Sequence, residues 1–225
     1  MPPTLSATTP APLVRPELLT ELTALGRSEG LIAGLRAALA AGLPLPFSAF
    51  GLSLMPSGGD LPPDCAEVVG ASHSAVEGTG LVLVRKAAPR HATQPSAQRS
   101  TDTGTMDAAV LLAAVRLGLT EGLLDLAVEY LTARQVEGAP LIDKQLIQGA
   151  IAETTATLEL CRHALRTATT PAATEALHAR LAAAGWTVTT LFGGSGYLRG
   201  HPAYSLYVAE LVHDAWVVPA AATWE

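Results

Sequence analysis

The sequence predicts a mainly α-helical protein with a small β part, in which a four-helix-type bundle follows a shorter helical and β region. Two observations predict the bundle. Apolar residues recur at helical spacing over residues 141–168, and the preceding segment, residues 106–134, is apolar on most of its sides. A third observation predicts the β part: short apolar runs separated by Gly and Pro lie between residues 47 and 86.

Composition supports a helical core and excludes one class of partner. Of the 225 residues, 49% are hydrophobic but only 4% are aromatic, so the core must consist of Ala, Leu and Val, which favours helices. The net charge of −6, without any cluster of Lys or Arg, argues against a nucleic-acid surface.

The N-terminal part divides into a tail and a helical segment. Residues 1–15 are rich in Pro, Thr and Ala and are predicted to be disordered, and they lack the features of a secretory signal. Residues 16–43 keep a helical period that Gly26 and Gly30 are expected to split into two pieces.

The longest apolar runs predict no membrane span, because Arg36 and Arg116 interrupt them too early. We therefore expect a cytoplasmic protein.

The β part and a linker precede the bundle. The runs FSAFGLSLM, CAEVVGAS and GLVLVRKA have strand lengths with turn residues between them, which predicts three or four antiparallel strands. Residues 16–87 would thus form the N-terminal helical and β region. The polar residues 88–105 would form a linker, and residues 106–225 the helical bundle.

The first helix of the bundle is predicted over residues 106–134. Gly118 and Gly122 allow another backbone to approach closely, at a cost of about 1 kcal/mol each relative to Ala. A helix that is apolar on most sides must lie inside a bundle or at an oligomer interface.

Two more helices follow. The second, residues 141–168, places Cys161 on its apolar face, which predicts a buried reduced thiol. Cys65 is distant in sequence, so no disulfide framework is indicated. The third begins with Thr170 as N-cap and Pro171 at the first helical position, and it ends in the turn LFGGSGYLRGHP.

Two sets of residues in the bundle segment form motifs. The first set is Tyr130, Arg134, Gly138, Pro140 and Gln145, and the second is Gly193, Gly194, Ser195, Gly196, Tyr197 and Pro202. They match the patterns Y-x-x-x-R-x-x-F-G-x-P-x-x-x-x-Q and G-G-x-G-Y…P. In their order and separation over residues 106–216, the two motifs resemble the C-terminal helical domain of the acyl-CoA dehydrogenases, and the resemblance extends to flavin monooxygenases of the same fold.

The resemblance implies a flavin reaction on an acyl thioester, with a Glu as the base that removes the α-proton. The usual position of that Glu falls at Val217, between Trp216 and Val218, and the less common position falls at Ala108. Asp107, beside the latter, is the candidate catalytic residue. It is also explained as an acid in the first helical turn after Thr105 as N-cap.

The cofactor contacts implied by the resemblance are retained in part. Arg134 would reach the flavin pyrophosphate of a neighbouring subunit, and it is also explained as a solvated or salt-bridged arginine at a helix end. Gln145 matches the final Gln of the first motif. Glu137 replaces a Phe that packs on the cofactor, and Thr190 replaces a Gln that touches its adenosine part.

The glycine turn, with Gly193, Gly194 and Gly196, is either a retained phosphate-binding loop or a helix C-cap with a tight chain reversal. No metal site is predicted, because Glu210 and His213 with Asp214 read as an exposed polar face of one helix.

These observations lead to three hypotheses. The chain is a catalytically incomplete acyl-CoA dehydrogenase-like subunit that completes the FAD site of a full-length partner in a hetero-oligomer. Alternatively it is a repurposed flavin-free protein, either a structural partner in an oligomer or a cofactor-free catalyst in a natural-product pathway. A third hypothesis is an autonomous dehydrogenase that uses Asp107.

Overall fold

The computed structural model describes residues 14–63, 65–68, 76–87 and 102–217. The helices of these ranges are α1 Pro16–Glu29, α2 Leu31–Ala40, α3 Asp102–Ala133, α4 Gln145–Thr167, α5 Pro171–Leu191 and α6 Tyr204–Trp216. The strands are β1 Leu52–Pro56, β2 Cys65–Glu67, β3 Leu81–Lys86, β4 Gln135–Val136 and β5 Ala139–Pro140. The mainly helical class and the C-terminal bundle predicted from the sequence are confirmed. Most of the predicted tail and most of the predicted linker lie outside the described residues.

Helix α3 is the centre of the molecule. All residues from 108 to 121 are buried, and the helix is packed against α1, α2, α4, α5 and α6. This explains why the segment is apolar on nearly every side: it has no face for solvent over that stretch. The prediction that it lies inside a bundle is confirmed.

Helix α1 crosses α3 at backbone contact, and glycines on both helices make this possible. A Cβ atom added at Gly118 would lie 1.9 Å from the carbonyl oxygen of Thr23, and one at Gly122 would lie 2.5 Å from that of Arg27. In the other direction, a Cβ atom on Gly26 would lie 2.4 Å from the carbonyl oxygen of Val115. The close approach predicted for Gly118 and Gly122 is therefore confirmed, and the partner is a helix of the same chain.

The start of α3 differs from the prediction. The helix begins at Asp102, inside the segment predicted as linker, so Thr105 lies within the helix and is not its N-cap. Asp107 consequently lies in the second turn. The prediction that Asp107 is a first-turn acid stabilised by the helix dipole is therefore wrong, because the dipole acts mainly within the first turn.

Three other helix ends illustrate what local sequence can and cannot predict. The N-terminal helical segment breaks at Gly30, which has φ +83°, and not at Gly26, which is an interior residue of α1. Helix α4 begins at Gln145, later than predicted, because residues 135–143 form a short hairpin and a 3-10 turn. The start of α5 is confirmed, since the Thr170 side chain accepts a hydrogen bond from the N–H of Ala173.

The small sheet is antiparallel, and it is tied to the bundle. Its described strands have the order β1-β3-β2, with Leu54 opposite Leu83. The indole Nε1 of Trp216, at the end of α6, donates a 2.8 Å hydrogen bond to the carbonyl oxygen of Leu54. Trp216 is fully buried, so this bond fixes β1 against the end of α6.

Two further expectations concern burial. Cys161 is a free, fully buried thiol, as predicted, and burial raises its pKa. Among the described helices, none combines the length and the apolar character that a bilayer span requires.

The α1–α3 contact predicts the effect of a minimal substitution. We expect Gly118→Ala to destabilise the protein by about 1–3 kcal/mol, because the new methyl group overlaps backbone of α1. The free energy of unfolding from urea denaturation measures this effect.

Gly149→Ala is the matched control, because a Cβ atom at this exposed position in α4 meets nothing within 4 Å. It should stabilise the protein by about 1 kcal/mol through helix propensity alone. An equal gain for Gly118→Ala would show that the two backbones do not touch.

Candidate functional site

The connection between α3 and α4 places two of the motif residues at one end of the bundle. The chain leaves α3, reverses through β4 and β5, and returns so that the N–H of Leu141 donates a 2.7 Å hydrogen bond to the carbonyl oxygen of Arg134. Helix α4 then begins at Gln145. Both Arg134 and Gln145 are exposed, so their side chains are accessible to another molecule.

The hairpin itself explains another part of the motif. Glu137 and Gly138 have φ values of +55° and +81° and form the tip between β4 and β5. Two consecutive residues with positive φ are typical of the tight turn that matches strand twist, and glycine is favoured there. The motif glycine is thus required by the turn. Glu137 is mostly exposed, and its carboxylate lies 3.4 Å from Nζ of Lys144.

Contacts between aromatic rings connect Arg134 to the glycine turn. The guanidinium of Arg134 lies 5.7 Å from the centroid of the Tyr130 ring and donates a hydrogen bond to its hydroxyl group. The Tyr130 ring lies 5.7 Å from that of Phe192, which directly precedes Gly193. The structure therefore brings Arg134 and the turn to the same end of the bundle, although 58 residues separate Arg134 from Phe192 in the sequence.

The three glycines of the turn have different reasons to be glycine. Residues Gly193–Tyr197 form a 3-10 turn after α5, and Gly193 has φ +62°. Gly196 is buried, and a Cβ atom there would lie 2.4 Å from the carbonyl oxygen of Thr189. Gly194 has neither constraint, because a Cβ atom at this exposed position meets nothing within 4 Å. Chain reversal explains Gly193 and close packing explains Gly196, whereas neither applies at Gly194.

The two positions predicted for a catalytic base lie far from this end. Ala108 is fully buried on α3, about 38 Å from the end of the helix at Ala133 if each residue rises by about 1.5 Å. Val217 is half-buried and follows α6, whose 13 residues separate it from the region of the glycine turn. Asp107 is partly exposed, and burial raises the pKa of its carboxyl group.

A buried polar network connects α3, α5 and α6, and the sequence analysis did not identify it. The Arg116 side chain, 3% exposed, donates from Nη1 to Nδ1 of His178 at 2.8 Å and forms an ion pair with Glu210. Nε2 of His178 lies 2.9 Å from the carbonyl oxygen of Ala109 and donates to it. Glu210 was predicted to belong to an exposed polar face, but the structure turns its carboxylate to Arg116.

This network keeps His178 neutral. Burial, the positive charge of Arg116 and the neighbouring His213 ring together lower the pKa of His178 to about 3. Burial also lowers the pKa of Arg116, although Glu210 opposes that effect. A signal for the network existed in the sequence: a single arginine within a long apolar helix must have a buried partner.

Within the described residues, no group of three His, Cys, Asp or Glu side chains is arranged to hold a metal ion.

Comparison with known proteins agrees with the motif residues. The sequence model of the acyl-CoA dehydrogenase C-terminal domain matches residues 99–216, just over half of the chain. The chain therefore belongs to the acyl-CoA dehydrogenase family. No curated protein matches it.

Solved structures share the fold at low sequence identity. One is the ChsE4-ChsE5 complex of Mycobacterium tuberculosis, with a TM-score of 0.54, 17% identity and coverage of 86% of this chain and 74% of that one. Another is butyryl-CoA dehydrogenase of Megasphaera elsdenii, with a TM-score of 0.51, 17% identity and coverage of 75% and 52%.

Several relatives are much longer than the part that matches. The match with the electron transferring flavoprotein of Acidaminococcus fermentans covers 34% of that chain and 52% of this one, at 23% identity and a TM-score of 0.45.

The neutral state of His178 predicts a pH dependence of stability. Below about pH 6.5 the unfolded chain gains a proton at this histidine, but the folded chain does not gain it until about pH 3. The free energy of unfolding should therefore fall with decreasing pH in this window, by about 2 kcal/mol from this group between pH 6.5 and 5.

Urea denaturation of the wild type, His178→Gln and His163→Gln at both pH values measures this dependence. His178→Gln should lose this part of the pH dependence, and His163→Gln, at an exposed position of α4, should keep it. Equal slopes for all three proteins would contradict the buried neutral histidine.

Proposed function

We propose that this chain is a catalytically incomplete acyl-CoA dehydrogenase-like subunit that completes the FAD site of a full-length partner in α,β-dehydrogenation of an acyl thioester. The observation that carries the proposal is the separation between the motif residues and the two positions predicted for a base. Arg134, Gln145 and the glycine turn lie at one exposed end of the bundle, and both base positions lie away from it and hold side chains that cannot accept a proton.

The chemistry of the base positions supports this assignment. Removal of an α-proton needs a basic group within hydrogen-bond reach, and Ala108 and Val217 have none. The indole of Trp216 is only a donor, and it is already bonded to Leu54. Asp107 is a helical neighbour of Ala108, so its side chain points about 100° away from the position that a base would occupy.

The residues at the exposed end suit a phosphate group of a partner's flavin. An arginine binds phosphate oxygens through charge-assisted, often bidentate hydrogen bonds. Tyr130 supports the guanidinium of Arg134 by a hydrogen bond and a cation–π contact, which limits its freedom before binding. Gly193 and Gly194 offer exposed backbone nearby, and Lys144 offsets part of the charge of Glu137.

The absence of a base supports an acyl site on the partner. This chain has no proton acceptor at Ala108 or Val217, so it cannot remove the α-proton of a thioester from either position. We therefore assign the thioester to the full-length subunit.

The alternative function is a flavin-free protein, either a structural partner or a cofactor-free catalyst in a natural-product pathway. Two replacements favour it. Glu137 puts a carboxylate where an aromatic ring would contact flavin, and the Thr190 hydroxyl group, in place of an amide, donates to the carbonyl oxygen of Thr187 in its own helix.

Flavin content decides between these functions. The chain is purified alone and after co-expression with a full-length family member from the same source, and flavin absorbance is measured per mole of protein. Flavin only in the mixed complex supports the shared site. A stable complex or homo-oligomer without flavin contradicts it and supports the alternative, and flavin bound by the chain alone contradicts both.

A substitution tests the phosphate contact in that complex. Arg134→Ala should weaken flavin retention by about 10- to 100-fold, because a hydrogen bond to a charged group contributes about 1.5–3 kcal/mol. The flavin dissociation constant of the purified complex measures this loss.

Arg166→Ala is the control, because Arg166 is also an exposed arginine, in the last turn of α4, and its substitution should leave flavin binding unchanged. The proposed role of Arg134 fails if both variants retain flavin equally.

A further inference from the structure

A cavity of about 710 Å³ lies away from both base positions, between the α1–α2 junction, the turn before β3, the second half of α3 and the start of α6. Its size is within the range of small-molecule sites, about 300–1,000 Å³. We propose that it binds an amphipathic carboxylate, meaning an aliphatic body with a carboxylate at one end. This goes beyond the proposed function, because the site needs neither flavin nor a partner subunit.

The walls of the cavity suit an aliphatic body. Most of its lining is apolar, and the side chains come from three separate helices; they are Leu31, Ile32, Leu119, Leu123, Leu126 and Val208. Leu126 remains 38% exposed, so part of this apolar lining is in contact with water. Covering it and its neighbours with an aliphatic ligand would remove apolar surface from water, which favours binding.

The charged residues of the lining give the ligand a direction. Arg199 and His201 belong to the segment before α6, whereas the acidic residues Glu29 and Glu77 belong to the end of α1 and to the turn before β3. A carboxylate would be attracted to the first segment and repelled by the other two. The ligand would therefore place its charged end at Arg199.

The other arginine of the lining does not compete for the carboxylate. Nε and Nη2 of Arg27 donate to Oδ2 of Asp125 at 3.0 and 2.7 Å, and Nη1 lies 3.8 Å from Oε2 of Glu121. Its charge is thus balanced within the chain. Arg199 is exposed, so its guanidinium can turn to a ligand without breaking a buried contact.

His201 has one ring nitrogen in use. Nδ1 accepts a hydrogen bond from the backbone N–H of Ala203 at 3.2 Å, which leaves the proton on Nε2. The ring also packs against Phe192 at 4.7 Å between centroids, so its position is fixed. A held N–H donor beside a cation is a suitable pair for a carboxylate.

Titration calorimetry of the full chain with octanoate tests the proposal, and 1-octanol serves as the neutral ligand of equal length. We expect saturable binding of octanoate with one site per chain, and at least 10-fold weaker binding of 1-octanol. Absence of saturable octanoate binding, or equal affinity for both ligands, would overturn the proposal.

Two pairs of variants locate the site. Leu126→Trp fills the mouth of the cavity and should weaken octanoate binding at least 10-fold, whereas Leu160→Trp, on the exposed side of α4, should not. Arg199→Ala should weaken octanoate binding about 10-fold and leave 1-octanol unchanged, with Arg166→Ala as its control.

All four substitutions are at positions with exposed side chains, so folding should be preserved, and circular dichroism checks this. Octanoate binding that is equal in Leu126→Trp and Leu160→Trp would place the ligand elsewhere and refute the assignment.

Discussion

The backbone contact between α1 and α3 is the constraint on which the rest of the structure depends. Gly26, Gly118 and Gly122 remove the side chains that would hold the helices apart, so carbonyl groups of one helix touch the other. Each glycine in a helix costs about 1 kcal/mol relative to Ala, and the close packing must offset that cost. As a result α3 is enclosed on all sides over residues 108–121, and the N-terminal region is joined to the bundle as part of one core.

The polar network around Arg116 is the second constraint within that core. A buried arginine is tolerated only because His178 and Glu210 satisfy it from two other helices. The network therefore specifies how α3, α5 and α6 are aligned, which apolar side chains alone specify weakly. Both ring nitrogens of His178 are engaged in hydrogen bonds within the core, so neither is available for proton transfer to another molecule. We therefore assign the network a structural role in aligning the helices and not a catalytic role.

Family membership and the distribution of the motif residues together lead to the shared-site proposal. The residues that are retained, Arg134 and Gln145, are exposed at the end of the bundle where α4 begins and are accessible to a partner. The positions of the absent base, Ala108 and Val217, lie toward the interior and the sheet. A chain that only contributes contacts to a neighbour's cofactor needs the exposed residues Arg134 and Gln145 and does not need a base. The cavity beside Arg199 is a separate property of this chain, formed by its own α1–α2 junction and α6.

The sequence by itself determined the helical class, the N-terminus of α5 at Thr170 and the close contact at Gly118, because each depends on local periodicity, capping or side-chain size. It also identified Arg134 and the glycine turn by motif. It did not determine the partner of Gly118, the start of α3 at Asp102 or the network of Arg116. Those were decided by the tertiary structure, because contacts between residues distant in sequence override local propensity and leave no local signal of which residues meet.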